Sequence, residues 1–293
     1  MAVYAIGDLH GCLPELKSLL AKIGFNRHQD RLWFVGDLLS RGPDSLGVLR
    51  FVRDLGDRAV VVMGNHEVRA LVGLSGKDSQ EFNDYMGFFA KAADCDELYD
   101  WIRYLPLVHR DETLGYTMVH AGLHPNWSLD DALMRSDRLT EIFRDKKRIR
   151  KFFKKNQARS VVEEPDFKSD ENGWLQYALT VMTKVRYCTR SGGLLSARLI
   201  REQGILTSGY GEPAKDSPYQ PWYTHRTGRG DEKIIYGHWA MAGLTLNRFT
   251  FGLDSGAVYG GKLTAMRLDH PNRPITQVRS KPYISIQDLT PTR

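Results

Sequence analysis

Three observations on the sequence predict an α/β fold in which two packed, mixed β-sheets are flanked by helices. The first 75 residues alternate short apolar runs with segments in which apolar residues recur at helical spacing, which is the pattern of an α/β layer. After Gly230 the chain becomes rich in strand signals, so further strands are expected there. Apolar runs also end repeatedly at Asp, Asn or His, and ligands collect at the carboxyl ends of strands in open α/β sheets.

The predicted elements follow from these patterns in chain order. Strands are expected at five apolar runs that lead to a polar residue: Val3–Asp8, Arg31–Leu38, Ala59–Met63, Tyr116–Gly122 and Lys233–Tyr236. Helices are expected after the first three strands, because apolar residues have helical spacing from Leu13 to Ile23, from Leu46 to Leu55 and from His66 to Leu74. The last predicted strands are Leu244–Phe251, Lys262–Leu268 and Ile275–Arg279.

The length of 293 residues is close to the upper limit for one hydrophobic core. One domain with insertions and two domains are therefore both admissible, and we predict a single domain spanning residues 1–293. Residues 73–106 are mostly polar and helical in tendency, and residues 127–176 have no strand signal. We predict both segments as helical insertions beside the main sheets.

Composition indicates a protein of the cytoplasm. No run approaches the roughly 20 apolar residues that a membrane span needs, and no basic lead with an apolar core precedes the first strand. The three cysteines are Cys12, Cys95 and Cys188; their small, odd number and wide spacing argue against a disulfide framework. We therefore expect a reducing compartment and no association with membranes, whereas the oligomeric state is left open.

The net charge of +6 is concentrated in one segment. Arg144–Lys155 holds eight Lys or Arg residues in twelve positions. Such a run can bind nucleic acid or another polyanion, or it can be the solvated face of a helix that packs its apolar residues underneath. We favour the solvated face, with Ile142, Phe143, Ile149, Phe152 and Phe153 packed beneath it.

The residues at the strand ends are suited to hold metal ions. Asp8 and His10 stand at positions i and i+2, so they point to the same side of an extended strand end. Asp37 follows the second run and is placed to bridge two ions. A mixed oxygen and imidazole set without thiolates favours divalent manganese, iron, cobalt, nickel or zinc, and manganese is our first expectation. The remaining candidate ligands are Asn65, His120 and His238.

The charge of such a site suits a phosphate ester or anhydride. Two divalent ions with the carboxylates of Asp8 and Asp37 and a bridging hydroxide leave about one positive charge to face an anionic substrate. Two ions roughly 3.5–4 Å apart also lower the pKa of a bridging water and clamp the substrate oxygens. Arg41 is placed to bind the phosphoryl group, and His66 is placed to act as an acid for the leaving oxygen.

Five motifs give the chain a resemblance to a known family. They are Gly7–Gly11, Gly36–Gly42, Gly64–Glu67, His120–Gly122 and Gly237–His238. Their order and composition resemble those of the phosphoprotein-phosphatase-type metallophosphoesterases. Three further stretches, Gly36–Pro43, Thr183–Cys188 and Leu253–Thr264, resemble the bacterial symmetrical diadenosine tetraphosphatases within that superfamily.

The resemblance implies a role for each motif residue. One metal would be held by Asp8, His10 and Asp37; the second would be held by Asp37, Asn65, His120 and His238. It implies Arg186 as a second phosphate contact and symmetrical cleavage of diadenosine tetraphosphate into two ADP by a metal-bridging hydroxide. Nothing in the spacing of the residues themselves indicates where the polyphosphate is cut.

Substrate preference depends on weaker signals. Protein serine/threonine phosphatases carry an aspartate immediately before the motif arginine, where this chain has Ser40. We interpret Ser40 as favouring a good leaving group such as a nucleoside diphosphate. Trp222 and Tyr223 are candidates for stacking on adenine. Two alternative functions stay open: a protein phosphatase, and an enzyme that removes dinucleoside-polyphosphate caps from RNA that it grips through Arg144–Lys155.

Overall fold

The computed structural model describes residues 1–75, 86–154, 163–195, 216–226 and 232–285. Seven helices can be bounded in these residues: α1 (Leu13–Lys22), α2 (Ser45–Arg53), α3 (Asn65–Leu74), α4 (Cys95–Arg103), α5 (Leu129–Arg144), α6 (Lys146–Lys154) and α7 (Glu171–Lys184). The strands of the described part are β1 (Val3–Ile6), β2 (Arg31–Phe34), β3 (Ala59–Val61), β4 (Val108–Asp111), β5 (Tyr116–Val119), β6 (Tyr187–Cys188), β7 (Gln220–Pro221), β8 (Lys233–Tyr236), β9 (Thr245–Leu246), β10 (Thr250–Gly252), β11 (Lys262–Arg267) and β12 (Ile275–Arg279).

The strands form two mixed five-stranded sheets and one small ladder. The first sheet has the order β12-β11-β1-β2-β3, with β1, β2 and β3 parallel and the other pairs antiparallel. The second sheet has the order β4-β5-β8-β10-β9, and here β5, β8 and β10 are parallel. Strands β6 and β7 form a separate antiparallel ladder. The predicted α/β fold of two mixed sheets flanked by helices is therefore confirmed.

The alternation of side chains along the strands explains how the layers pack. In β1, Val3 and Ala5 lie in an apolar cluster between the two sheets, where residues of both sheets meet, including Met118 and Ile235. Tyr4 and Ile6 point to the opposite face and join the larger core with the helices. Because successive side chains of a strand point to opposite faces, one short apolar run contributes to both layers.

The structure corrects several predicted strand boundaries. Four of the five strands that lead into the motifs stop two to four residues before their predicted ends, because the chain leaves the ladder to place the polar residues. The fifth, Lys233–Tyr236, has the predicted bounds. The predicted strand Leu244–Phe251 is divided into β9 and β10 by a tight turn, in which the Asn247 N–H donates to the Thr250 carbonyl at 2.9 Å. Strands β4, β6 and β7 were not predicted from the sequence.

In the described parts of the two predicted insertions, the regular elements are helices, which are joined by turns and loops. Helices α5, α6 and the start of α7 lie in residues 127–176, and the end of α3, residues 86–90 and α4 lie in residues 73–106. Residues 76–85 and 155–162 lie outside the described residues. None of the helices that the structure describes is long and apolar enough to cross a membrane. The assignment of residues 1–293 to one domain stays a prediction.

Helix α6 carries the basic segment on a solvent-exposed face. Its apolar residues Ile149, Phe152 and Phe153 are buried and pack with Ile142 and Phe143 of α5. The basic residues of α6 are exposed on the other side. The prediction of apolar residues packed beneath a solvated basic face is confirmed for residues 144–154, and Lys155 lies outside the described residues.

Candidate metal centre

The polar motif residues converge at one edge of the two sheets. Asp8 and Asp37 follow β1 and β2, and His120 and His238 follow β5 and β8. Within each pair the two strands are parallel, so their carboxyl ends lie side by side. The candidate ligands therefore come from both sheets and face a common centre.

Asp37 lies at the middle of this cluster. Its Oδ2 is 3.6 Å from Nε2 of His10 and 3.4 Å from Nε2 of His120. Asn65 joins the same group, because its Oδ1 is 3.1 Å from Nε2 of His120. Among the described residues, two sets of possible ligand atoms lie within 4.8 Å of one another: one set in His10, Asp37 and His66, and the other in Asp37, His120 and His238.

Backbone carbonyls orient two of the imidazoles for metal binding. Nδ1 of His120 lies 2.8 Å from the Val35 carbonyl, and Nδ1 of His10 lies 3.4 Å from the Leu39 carbonyl. A ring that donates its Nδ1 hydrogen to a carbonyl presents the lone pair of Nε2, and in both rings Nε2 faces Asp37. This arrangement is the one that metal-binding histidines adopt.

The buried carboxylates make the centre favourable for binding positive charge. Asp8 and Asp37 are both almost fully buried. Burial and the nearby Asp254 carboxylate hold the pKa of Asp8 well above its usual value. Burial also acts on Asp37, but the facing imidazoles, His120 first, hold its pKa well below the usual value. Because buried charges are stable only when they are paired or coordinate metals, this cluster is suited to bind cations.

The glycines that precede two of the candidate ligands make room for these carboxylates. A β-carbon at Gly64 would overlap with Oδ1 of Asp37, and one at Gly237 would overlap with Oδ1 of Asp8. At these two positions the glycine before the polar residue therefore has a steric cause. The glycine of one motif gives space to the aspartate of another.

The motif loops hold several side chains on left-handed backbone. His10, Asp37 and His238 have φ angles of 43°, 50° and 67°. Ser40 and Arg41 are also left-handed, with φ of 78° and 68°. Such conformations cost about 1–3 kcal/mol for each residue other than glycine. They cluster at functional sites. This strain indicates that the loops are shaped for the position of their side chains.

Glu67 connects two of the loops and was not predicted as a site residue. Its fully buried carboxylate accepts the N–H groups of Asp37 and Gly64 at Oε2 and of Leu38 at Oε1, each at 2.8 Å. Burial raises the pKa of Glu67 to about 7, with the nearby charge of Asp37 as the next cause. The signal in the sequence was its place at the end of the Gly64–Glu67 motif.

The two predicted phosphate contacts lie at the border of the cluster. Arg186 donates from Nη2 to the His238 carbonyl at 3.0 Å. Arg41 donates from Nη1 to the hydroxyl of Tyr259, and its guanidinium carbon lies 5.6 Å from the centre of that ring. The Tyr259 contact was not foreseen, although the residue belongs to the Leu253–Thr264 stretch. His66 is fully buried and its Nδ1 lies 2.5 Å from the hydroxyl oxygen of Ser40.

The adenine prediction needs a correction for one residue. Trp222 is fully buried and packs edge to face against Tyr236, at a ring distance of 5.3 Å. A ring without exposed surface cannot stack on a base, so the structure contradicts this role for Trp222. Tyr223 is half-buried, with its ring 6.4 Å from that of Trp239, the residue after His238. Tyr223 stays a candidate.

Comparison with known proteins identifies the family. The calcineurin-like phosphoesterase family matches residues 1–175. The chain belongs to this family. The phosphoesterase is 38% identical to the symmetrical bis(5'-nucleosyl)-tetraphosphatase of Aromatoleum aromaticum, over 96% of this chain and 97% of the relative. It is 37% identical to the enzyme of the same name from Nitrosococcus oceani, over 92% and 94% of the two chains.

A solved structure agrees with this placement. The phosphoesterase superposes with a TM-score of 0.61 on a crystal structure provisionally described as a diadenosine tetraphosphatase. The two chains are 25% identical, and the match covers 95% of this chain and 93% of the other. The resemblance seen in the sequence motifs is therefore confirmed for the family and its fold.

Proposed function

We propose that the protein is a dimetal hydrolase that cleaves diadenosine tetraphosphate symmetrically into two ADP. One observation carries the proposal: six candidate ligands from five separate motifs lie together, and the other five are grouped around the buried Asp37. Arg41 and Arg186 lie at the border of this group. The identity of more than a third to proteins named symmetrical bis(5'-nucleosyl)-tetraphosphatase supports the substrate. The comparisons do not favour phosphoserine proteins or capped RNA, and we propose neither as a substrate.

The residues fit two divalent cations. The donors are carboxylate, amide and imidazole groups, and no thiol belongs to either set of ligand atoms in the described chain. One ion would be held by Asp8, His10 and Asp37, and the other by Asp37, Asn65, His120 and His238. When bound, such ions supply an acidified water and a clamp for phosphoryl oxygens. Manganese is our proposal for the metal.

The chain's own groups bind and orient the polyphosphate. Arg41 and Arg186 hold the phosphoryl oxygens through charge-assisted hydrogen bonds and oppose the charge that develops on them. Water attacks the phosphorus beside the central bridging oxygen; its oxygen stays on that phosphorus as part of one ADP, and the proton it loses goes to solvent. The bond between that phosphorus and the bridging oxygen breaks, and one ADP leaves with the electron pair. His66, held through Nδ1 by Ser40, is the group that gives a proton to the departing oxygen.

A cytoplasmic location belongs to the same proposal. Cys12, Cys95 and Cys188 are all free thiols, and Cys12 and Cys188 are buried. Free cysteines without disulfides are typical of reducing compartments.

Product analysis tests the proposed function. Metal-free protein is incubated with diadenosine tetraphosphate and added manganese, cobalt, nickel, iron or zinc, and the nucleotides are separated by anion exchange. We expect ADP as the sole product, highest activity with manganese, and loss of turnover in Asp37→Asn, which removes the shared carboxylate. AMP with ATP as products would contradict the symmetrical cut, and turnover by Asp37→Asn at the wild-type rate would contradict the dimetal site.

A further inference from the structure

We propose that Tyr259 is a positioning residue that holds the guanidinium of Arg41 in place for the phosphoryl group of the substrate. The inference rests on the proposed function, because that function assigns the phosphoryl group to Arg41. It extends the function by adding a residue from the distant Leu253–Thr264 stretch to the phosphate-binding side of the site.

The contact between the two side chains has two parts. Nη1 of Arg41 donates to the hydroxyl oxygen of Tyr259, and the guanidinium carbon lies 5.6 Å from the centre of the Tyr259 ring. The hydroxyl thus fixes one nitrogen while the ring offers a cation–π contact to the same group. A long arginine side chain loses rotamer freedom when it is ordered, so a partner that orders it in advance favours binding.

Arg41 is tied to the candidate site on both sides along the chain. The preceding Ser40 contacts His66, and the N–H of the following Gly42 donates to the His10 carbonyl at 2.7 Å. The backbone of Arg41 is therefore fixed beside two residues of the centre. What remains to be set is the direction of its side chain, and Tyr259 sets it.

Tyr259 stands on a turn that is itself rigid. The Tyr259 and Gly261 N–H groups both donate to the Gly256 carbonyl, at 3.0 and 2.9 Å, and the preceding Ala257 and Val258 are buried. Because this turn is closed by hydrogen bonds and anchored by buried side chains, the backbone that carries the Tyr259 ring is held in place. A rigid support is what a positioning residue needs.

The test is a double-mutant cycle with Tyr259→Phe and Arg41→Ala on manganese-loaded protein. Binding of inorganic phosphate is measured by calorimetry, and kcat and KM are measured with diadenosine tetraphosphate. Tyr259→Phe removes a hydrogen bond to a charged group, so we expect about a tenfold loss of phosphate affinity and of kcat/KM. In the Arg41→Ala background the same change should alter both by less than about twofold.

Tyr283→Phe is the matched control. This variant also removes a tyrosine hydroxyl, which in the wild-type protein donates to Glu15 Oε1 at 2.9 Å. Tyr283 lies beside the same turn, because its backbone N–H donates to the Val258 carbonyl. This variant should leave phosphate binding and kcat/KM unchanged. Thermal melts of all variants are recorded beside the binding data. Tyr259→Leu, which lacks both hydroxyl and ring, should show a loss at least as large, which again disappears without Arg41.

Two results would overturn the inference: phosphate affinity unchanged in Tyr259→Phe, or an equal loss with and without Arg41. The second result would mean that Tyr259 acts independently of the arginine. The proposed function is judged separately, by whether the wild-type protein yields ADP. If it does not, the phosphate-binding cycle still decides the role of Tyr259.

Discussion

The hydroxyl of Ser40 is the neutral partner of His66. It is fully buried and lies 2.5 Å from Nδ1 of the imidazole. An aspartate at this position would hold a proton on His66 and favour a poor leaving group, such as a serine alkoxide. We predict that Ser40→Asp shifts the ratio of kcat/KM from diadenosine tetraphosphate toward a phosphoserine peptide by at least about tenfold, corresponding to 1.4 kcal/mol in the barrier.

Ser40→Asn is the control for this prediction, because it has the size of aspartate without its charge. Both variants are assayed with both substrates. A ratio that does not move in Ser40→Asp, or that moves equally in Ser40→Asn, would show that the charge at position 40 does not select the substrate.

Glu67 holds two motif loops through three backbone N–H groups. In Glu67→Gln one carboxylate oxygen becomes an NH₂ group, which cannot accept a hydrogen bond. At least one buried N–H then loses its partner, and we expect the free energy of unfolding of the metal-free protein to fall by about 2 kcal/mol. Urea unfolding measures this change.

Glu15→Gln is the matched control for Glu67→Gln. The buried carboxylate of Glu15 accepts from Ser280 and Tyr283 at a single oxygen, Oε1, which the glutamine carbonyl can replace. We expect a change in unfolding free energy below about 0.5 kcal/mol. Equal losses in the two variants would contradict the special role of Glu67.

A site residue could be predicted from the sequence when it stood in a recognisable local pattern. Asp8, Asp37 and His238 were foreseen because each follows a glycine at the end of an apolar run. Glu67 was missed because its partners are backbone groups that come close only in the folded chain. The prediction that Trp222 stacks on adenine was wrong, because a tryptophan between prolines and polar residues looks exposed in the sequence. In the structure a neighbouring glycine, Gly122, leaves room for its ring in the core.

The two faces of helix α6 differ in their contribution to stability: one packs apolar side chains into the core, and the other exposes basic side chains to solvent. Phe152 is buried against Phe143 and Phe153, at ring distances of 6.0 and 5.3 Å, whereas Lys151 is exposed. We predict that Phe152→Ala lowers the free energy of unfolding by about 3 kcal/mol. Lys151→Ala should change it by less than about 0.5 kcal/mol. Denaturant unfolding of both variants compares the faces, and a loss from Lys151→Ala as large as that from Phe152→Ala would contradict this division.

The elements themselves were foreseen better than their ends. Apolar runs and helical spacing located the strands and helices that lead into the motifs. The carboxyl ends of the strands could not be predicted from the sequence, because Val35 and Val62 are buried apolar residues that lie beyond the strand ladder. Strand β4 was missed since its sequence, VHRD, has only one apolar residue, and its pairing partner β5 determines its conformation.

At the scale of the whole molecule, the candidate ligands connect the two sheets. Asp8 and Asp37 belong to one sheet, and His120 and His238 belong to the other. Metal that binds only the folded chain should therefore raise its stability, by about 2.7 kcal/mol at a metal concentration a hundredfold above the Kd. We predict that chelation lowers the thermal midpoint of the wild-type protein and that added manganese restores it.

Asp37→Asn is the control for the chelation experiment, since it removes the shared carboxylate while keeping the size of the side chain. Its thermal midpoint should respond to manganese much less than that of the wild-type protein. An equal response in the two proteins would place the stabilising metal elsewhere.

The position of β1 in its sheet has a consequence for synthesis on the ribosome. Tyr4 of β1 pairs with Arg267 of β11, so one edge of this central strand pairs with a strand that is synthesised more than 250 residues later. Until residues 262–267 have emerged, β1 remains an open edge that can pair with other chains. Nascent chains are therefore the form most exposed to aggregation, and a chain that stops before His238 lacks a candidate ligand.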